Sequence, residues 1–328
     1  MKRLNNPYAN ALDGLVLNDP VSAFFDFCKK RERIRLKREA CLPLPWTDDP
    51  ILQNGRFLNV FREDDRGSKA IIQFAKNCKN NLPDLVHALF FARWCNKQET
   101  LDLLSYEMLK KSDQISKKLK ELKVWSNSTA YPVETIHWEG KTYSRFDAAT
   151  KLFKKIKEPL TKDILNANKD VNQAIETINQ KLKMVNNFPI FMAVVDISWF
   201  RPDIIDPASD VPTGIGAVAY LDRLQQYLGL KDHKQTCFEM ITLQRKYWPD
   251  AKRDFQPIDI EYLSCECRKY YSYINGTKTF EGKNIFKVLY TSIDVHSVQF
   301  SQMNSAYSIL FGSDEIQWFA SDGLLPEK

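Results

Sequence analysis

The run DLVHALFFARWCNKQETLDLL after Pro83 constrains the fold more than any other stretch. Its apolar side chains recur at helical spacing and form a strong stripe, which must be buried against other elements. DPVSAFFDFC reads as an amphipathic helix capped near Asp19. FPIFMAVVDISWF returns the chain to the interior at 188–200, and FQPIDIEYLSCECRKYYSYI follows a proline with an acid-opened helix. The expected fold is therefore mainly α. Strand alternation is limited to STAYPVETIHWEGKTYSRF, where residues alternate around Glu139-Gly140 as in a short β-hairpin.

At 328 residues and 44% hydrophobic content, the chain can bury one large core or form two lobes. We expect an N-terminal helical lobe over 1–125, an insertion over 126–187 bearing the hairpin and polar helices that cover the core, and a C-terminal lobe over 188–328. Seven cysteines, an odd number without a signal-peptide pattern, point to reduced thiols and a cytoplasmic setting. No apolar run approaches the roughly 18 residues of a membrane helix, so no membrane partner is expected. The net charge of +6 favours an anionic partner such as nucleic acid.

Charge is patterned more tellingly than its total. Seven of the ten residues from Lys29 to Arg38 are Lys or Arg. Such a run is either a solvated helix face or a phosphate contact. In FLNVFREDDRG, helical spacing puts Asn59, Arg62, Glu63 and Arg66 on one stripe, with Phe57, Val60 and Phe61 opposite and Asp64 on the apolar side. Arg93, Asn96 and Thr100 share a face of the next helix. Both sets read either as interhelical polar networks or as a site. The turn Gly214-Ile215-Gly216 feeds a helix and offers either structural turn duty or N–H groups for a phosphate. On the Pro257 helix, Asp259, Tyr262, Glu266, Lys269, Tyr270 and Tyr273 share about a third of the circumference.

Some chemistry is absent. No G-x-x-x-x-G-K-[ST] occurs, which speaks against a P-loop kinase, and there is no dinucleotide fingerprint. Cys265-x-Cys267 and the four histidines lack zinc spacing, so no metal or other cofactor is expected.

Taken in order, PWTDDPILQNGRFLNVFREDDRG, FFARWCNKQET, TGIGA and DIEYLSCECRKYY resemble one family, the bacteriophage DNA base hypermodification proteins. Their helical domain occurs attached to 5-hydroxymethyluracil DNA kinases, and also in a stand-alone clade, the alpha-glutamyl/putrescinyl thymine pyrophosphorylases or amino acid:DNA transferases. The likeness runs from about Arg31 to Tyr271. It implies a fold similar to helix-hairpin-helix DNA glycosylases, with Gly214 and Gly216 in the hairpin and Asp259 as the acid. With no P-loop, the chain resembles the stand-alone branch.

The resemblance implies a transferase that replaces the pyrophosphate of pyrophosphorylated 5-hydroxymethyluracil in double-stranded DNA with an amino acid or polyamine. It also implies a functional link to the kinase and work in the host cytoplasm. For that reaction Arg62, Arg66 and Arg93 suit the departing pyrophosphate, because guanidinium forks match phosphate oxygens. Asp259 and Glu63 are candidates to accept the nucleophile's proton, with Asp64 orienting an arginine. Asn59 and Asn96 can read a flipped uracil edge, Tyr262 or Tyr270 can stack on it, and Lys269 either binds phosphate or pairs with Glu266. Lys29, Arg31, Gly214 and Gly216 would meet the DNA backbone. Two alternatives remain: a non-catalytic DNA-binding helical module, and a glycosylase-like enzyme acting through Asp259.

Overall fold

The computed structural model describes residues 6–127 and 135–280. His296, residues 128–134 of the hairpin segment and the end of the expected C-terminal lobe lie outside them. The chain divides into two compact units, one formed by residues up to Arg62 together with those from Thr213, the other by Glu63–Pro212. These boundaries replace the expected ones at 125 and 187. Composition along a chain cannot show that its first sixty residues pack with its last described ones.

The first unit begins with α1 (Pro20–Glu39), where Asp19 accepts the Ser22 N–H at 2.9 Å and Pro20 needs no partner for the N–H it lacks. After α2 (Pro50–Asn54), capped by Asp49, the expected motif helix does not form. Residues 56–61 are non-helical, Arg62–Asp64 make a 3-10 turn, and α3 starts only at Arg66 and ends at Ala75.

The reason is that side chains replace the helical backbone partners of this segment. Arg31 donates to the carbonyls of Phe57 at 3.1 Å and Leu58 at 3.0 Å. The Tyr262 hydroxyl donates to Asn59 O and Val60 O, and Glu266 accepts the Leu58 N–H at 3.1 Å. Phe57, Val60 and Phe61 remain buried, as expected, but through an irregular backbone.

The second unit, which α3 opens, is organised by α4 (Leu82–Cys95), whose residues from Leu85 to Cys95 are all buried. Asn96 ends it in the left-handed region at φ 44°, so Arg93, Asn96 and Thr100 do not lie on one continuous helix. Short helices α5 (Gln98–Leu101) and α6 (Tyr106–Leu109) lead to the lysine-rich α7 (Ser112–Glu121). Strands β1 (Ile136–Trp138) and β2 (Lys141–Tyr143) pair antiparallel, Ile136 opposite Tyr143. Glu139 and Gly140, both at positive φ, make the two-residue turn that such a hairpin favours.

One helical turn, α8 (Arg145–Asp147), then precedes α9 (Phe153–Leu165), α10 (Val171–Leu182) and α11 (Phe188–Phe200). α9 and α11 both pack on α4. The polar helices of 147–185 were expected to cover the core, but they help to build it. Phe153, Ile156, Leu160 and Ile164 of α9 are all buried, and Phe153 meets Trp94 edge-on at 4.7 Å. Few apolar residues suffice when most of them fall on the inward stripe, Leu165 at the end of α9 being an exposed exception.

The chain re-enters the first unit through the turn at 213–217, followed by α12 (Val218–Leu228), α13 (His233–Tyr247) and α14 (Pro257–Ile274). α14 packs against α1, α12 and α13. Phe255 centres an aromatic cluster, its ring 5.7–6.4 Å from those of Phe24, Phe25, Phe61 and Trp248. Among the described residues no helix is long and apolar enough to cross a membrane.

Candidate functional site

α14 carries Asp259, Tyr262, Glu266, Lys269 and Tyr270 of the expected site, and it is buried on nearly every side. Two of its acids have different fates. Asp259 occupies the N3 position and accepts the Gln256 N–H at 2.7 Å, closing a capping box with Gln256. Its carboxylate also takes both amino groups of Arg253, at 2.6 and 3.1 Å. Asp259 is thus fully enclosed and engaged at both oxygens. Glu261, two residues on, is 5% exposed and accepts one hydrogen bond, from Gly214 N–H to Oε1 at 2.9 Å. Burial pushes its carboxyl up to about 7, against the opposing influence of the Gly214 N–H and the Arg62 charge.

Arg62 is itself 8% exposed, lies with its guanidinium 5.5 Å from the Tyr262 ring centre, and has no hydrogen-bond partner on Nε. A buried guanidinium nitrogen without a partner is costly in a resting protein and useful to an arriving anion. Arg62 is near enough for its charge to act on Glu261, so the first unit buries a cation with unused donor capacity and a carboxyl raised toward neutrality.

The glycine turn approaches α14 closely. A Cβ on Gly216 would come within 2.6 Å of Cys265 Sγ, and one on Gly214 within 3.0 Å of Glu261 Oε1. Arg268 further ties the turn to α14 by donating from Nε to Gly216 O at 3.1 Å.

The other expected residues of this unit have structural partners. The Tyr262 hydroxyl holds the 59–60 backbone, and Tyr270 donates to Asp49 Oδ2 at 2.7 Å. Lys269 pairs with Glu266 at 2.7 Å, the alternative the sequence left open, and also stands 4.6 Å from the Phe57 ring centre. Asn59 accepts from Arg31 at 2.9 Å. Arg31 is 1% exposed and faces inward, whereas Lys29 lines a surface pocket on α1.

In the second unit, Arg93 donates to Asp196 from Nε at 2.5 Å and Nη2 at 2.6 Å, with both side chains enclosed. That bidentate pair joins α4 to α11 and spends the fork that phosphate would need. Arg66 and Asn96 do come together, in a pocket of about 410 Å³ that also contains Lys97, Gln98 and Asn127. There Arg66 pairs with Glu99 at 2.8 Å on the surface. Glu63 and Asp64 are half-buried in the 3-10 turn after Arg62. The cysteines at 265 and 267 are free thiols that burial pushes up, a poor state for a nucleophile.

Sequence reasoning missed Glu261. The signal was present: a proline at the first helical turn marks Asp259 as the capping acid, leaving the next acid for another role.

The chain is thus a mainly helical protein whose first unit buries a carboxyl against a Gly-Ile-Gly turn. Residues 19–278 match the family described as 5-hmdU DNA kinase, helical domain, and the chain belongs to that family. No curated protein and no solved structure matches it.

Proposed function

We propose that this chain is a DNA thymidine hypermodification enzyme, a transferase that follows the kinase step rather than performing it. The family's name couples this helical domain to a kinase acting on 5-hmdU in DNA. These 328 residues carry no P-loop signature. In this reading the substrate is pyrophosphorylated 5-hydroxymethyluracil in double-stranded bacteriophage DNA, flipped from the stack, and the co-substrate is an amino acid or polyamine. The enzyme works in the host cytoplasm alongside the cognate kinase.

The observation that carries the proposal is the burial together of Glu261 and Arg62 with capacity left on both. The amine nitrogen bonds to the C5 methylene as the carbon–oxygen bond to pyrophosphate breaks, and the bonding pair leaves with the pyrophosphate. Glu261 accepts the amine proton and later releases it to water. Arg62 holds the departing oxygens, where charge grows most in the transition state. A carboxyl near 7 suits a base working at neutral pH. Asp259, committed to Arg253 and the capping box, positions the start of α14 in this scheme. The Gly-Ile-Gly turn serves as a hairpin-like element whose Gly214 N–H fixes the base.

Nucleoside mass spectrometry tests this. Hydroxymethyluracil DNA is treated with a cognate kinase, then with this protein and a panel of amino acids and polyamines. We expect an amine-bearing thymidine with the wild type, reduced about 100-fold or more by Glu261→Gln and by Arg62→Ala. If the pyrophosphorylated base persists with every donor while DNA is still bound, the chain is a non-catalytic DNA-binding module. Abasic sites in place of a new nucleoside would make it a glycosylase.

A further inference from the structure

α1 presents Lys30, Arg33 and Lys37 at i, i+3 and i+7, which places them on one face. They form one wall of a pocket of about 470 Å³, within the range of about 300–1,000 Å³ that holds small ligands. The opposite wall is the segment from Pro45 to Asp48 together with Gln53. That wall is pinned. Trp46 donates its indole N–H to Leu42 O at 2.8 Å, Lys37 Nζ donates to Trp46 O at 2.9 Å, and Gln53 donates to Thr47 O at 2.5 Å.

With its N–H committed, Trp46 offers the pocket only ring surface. Asp48 is the one carboxylate in the lining, against three cations. Asp49, beneath, is enclosed and tied to Tyr270, and stands 3.9 Å from Lys30. Arg33 also borders a second pocket of about 470 Å³ on its other side, where Lys29 and Lys252 add cations beside Glu32 and Asp250. The exposed Arg33 is thus a ridge between two basic hollows, and the first of them contains an aromatic platform.

We propose that the Lys30–Arg33–Lys37 pocket binds a nucleotide phosphate of a DNA strand, with the sugar or base of that nucleotide against Trp46. The cations supply sequence-independent contacts, the guanidinium of Arg33 grips phosphate oxygens, and the indole face accepts any base. An acidic peptide would find the cations but would leave the ring surface unused. The surface is separate from the Glu261–Arg62 centre, and it shares with the proposed function only the expectation that the ligand is DNA.

The test is fluorescence anisotropy of labelled single-stranded and duplex oligonucleotides with the full chain, over a range of salt. The pocket variant is Lys30→Gln/Arg33→Gln/Lys37→Gln. A control with equal loss of charge is Lys111→Gln/Lys117→Gln/Lys123→Gln, at exposed positions in and beside α7. We expect the pocket variant to bind at least tenfold more weakly, with the slope of log K against log salt shallower by about 0.7–0.9, as loss of one neutralised phosphate requires. Trp46→Ala should weaken binding with the slope unchanged.

Inorganic pyrophosphate is the second arm. Failure to displace DNA at millimolar concentration supports the strand as the source of the phosphate. Displacement lost in the pocket variant supports the same phosphate chemistry with a free diphosphate as occupant. Pocket-variant affinity and slope equal to those of the control, or a wild type that binds neither ligand, would overturn the proposal. No outcome depends on turnover, so failure of the transferase reading would leave this result standing, and the reverse.

Discussion

Replacing Glu261 with Gln should change how stability depends on pH, by an amount the structure allows to be worked out. The folded-state pKa is raised from 4.5 to about 7, with burial as the main cause. A raised folded pKa means that the native state holds its proton more tightly than the unfolded chain does. The stability from this group is therefore fully present below pH about 4.5 and is lost as pH rises through about 7. At about 1.4 kcal/mol for each pH unit, the loss by pH 8 is roughly 3 kcal/mol.

The introduced amide would keep an oxygen for the Gly214 N–H but would carry no charge. The substitution gives up about 1 kcal/mol of hydrogen-bond strength and avoids the cost of charging a buried acid. Glu261→Gln should thus be close to wild type at pH 5 and more stable by about 2 kcal/mol at pH 8. The assay is urea unfolding of both proteins at half-unit steps between these limits. Asp49, which burial also raises, is common to both proteins and cancels in the difference. A difference that stays flat across the range would refute the reasoning, because Glu261 would then titrate as an ordinary surface acid.

Two other substitutions probe the packing inside each unit. Arg93→Ala should cost about 3–5 kcal/mol in chemical unfolding by leaving Asp196 charged, enclosed and alone, whereas the double replacement Arg93→Met/Asp196→Leu should recover most of that loss. Gly216→Ala should destabilise by about 1–3 kcal/mol through the contact with Cys265 Sγ, and adding Cys265→Ala should relieve it. Thermal melts read both, and failure of the second change to rescue the first would show that the loss arises from the turn backbone.

Much of the architecture was legible in order along the chain. Asp19 and Pro20 mark the start of α1, Glu139-Gly140 marks the hairpin turn, and the apolar runs at 85–95 and 188–200 become buried helices. These features depend on neighbours within a few residues, so local pattern carries them. The segment 57–61 shows where that stops. Its periodicity is helical, yet its backbone is held by Arg31, Tyr262 and Glu266, which no window along the sequence contains.

The sequence alone determined that the chain is helical, where the proline-opened helices α1 and α14 begin, which residues are apolar enough to bury, and that arginines and acids are concentrated in FREDDR and the Pro257 helix. Only the tertiary structure decided what those charges do. Arg93 and Asp259 found partners at the distances a buried charge demands, while Arg62 and Glu261 were enclosed with capacity unspent. The reason is physical: a side chain's composition is local, but its solvation and its partners are set by whichever distant segments fold against it, and those decide whether a charge holds the fold together or remains available for chemistry.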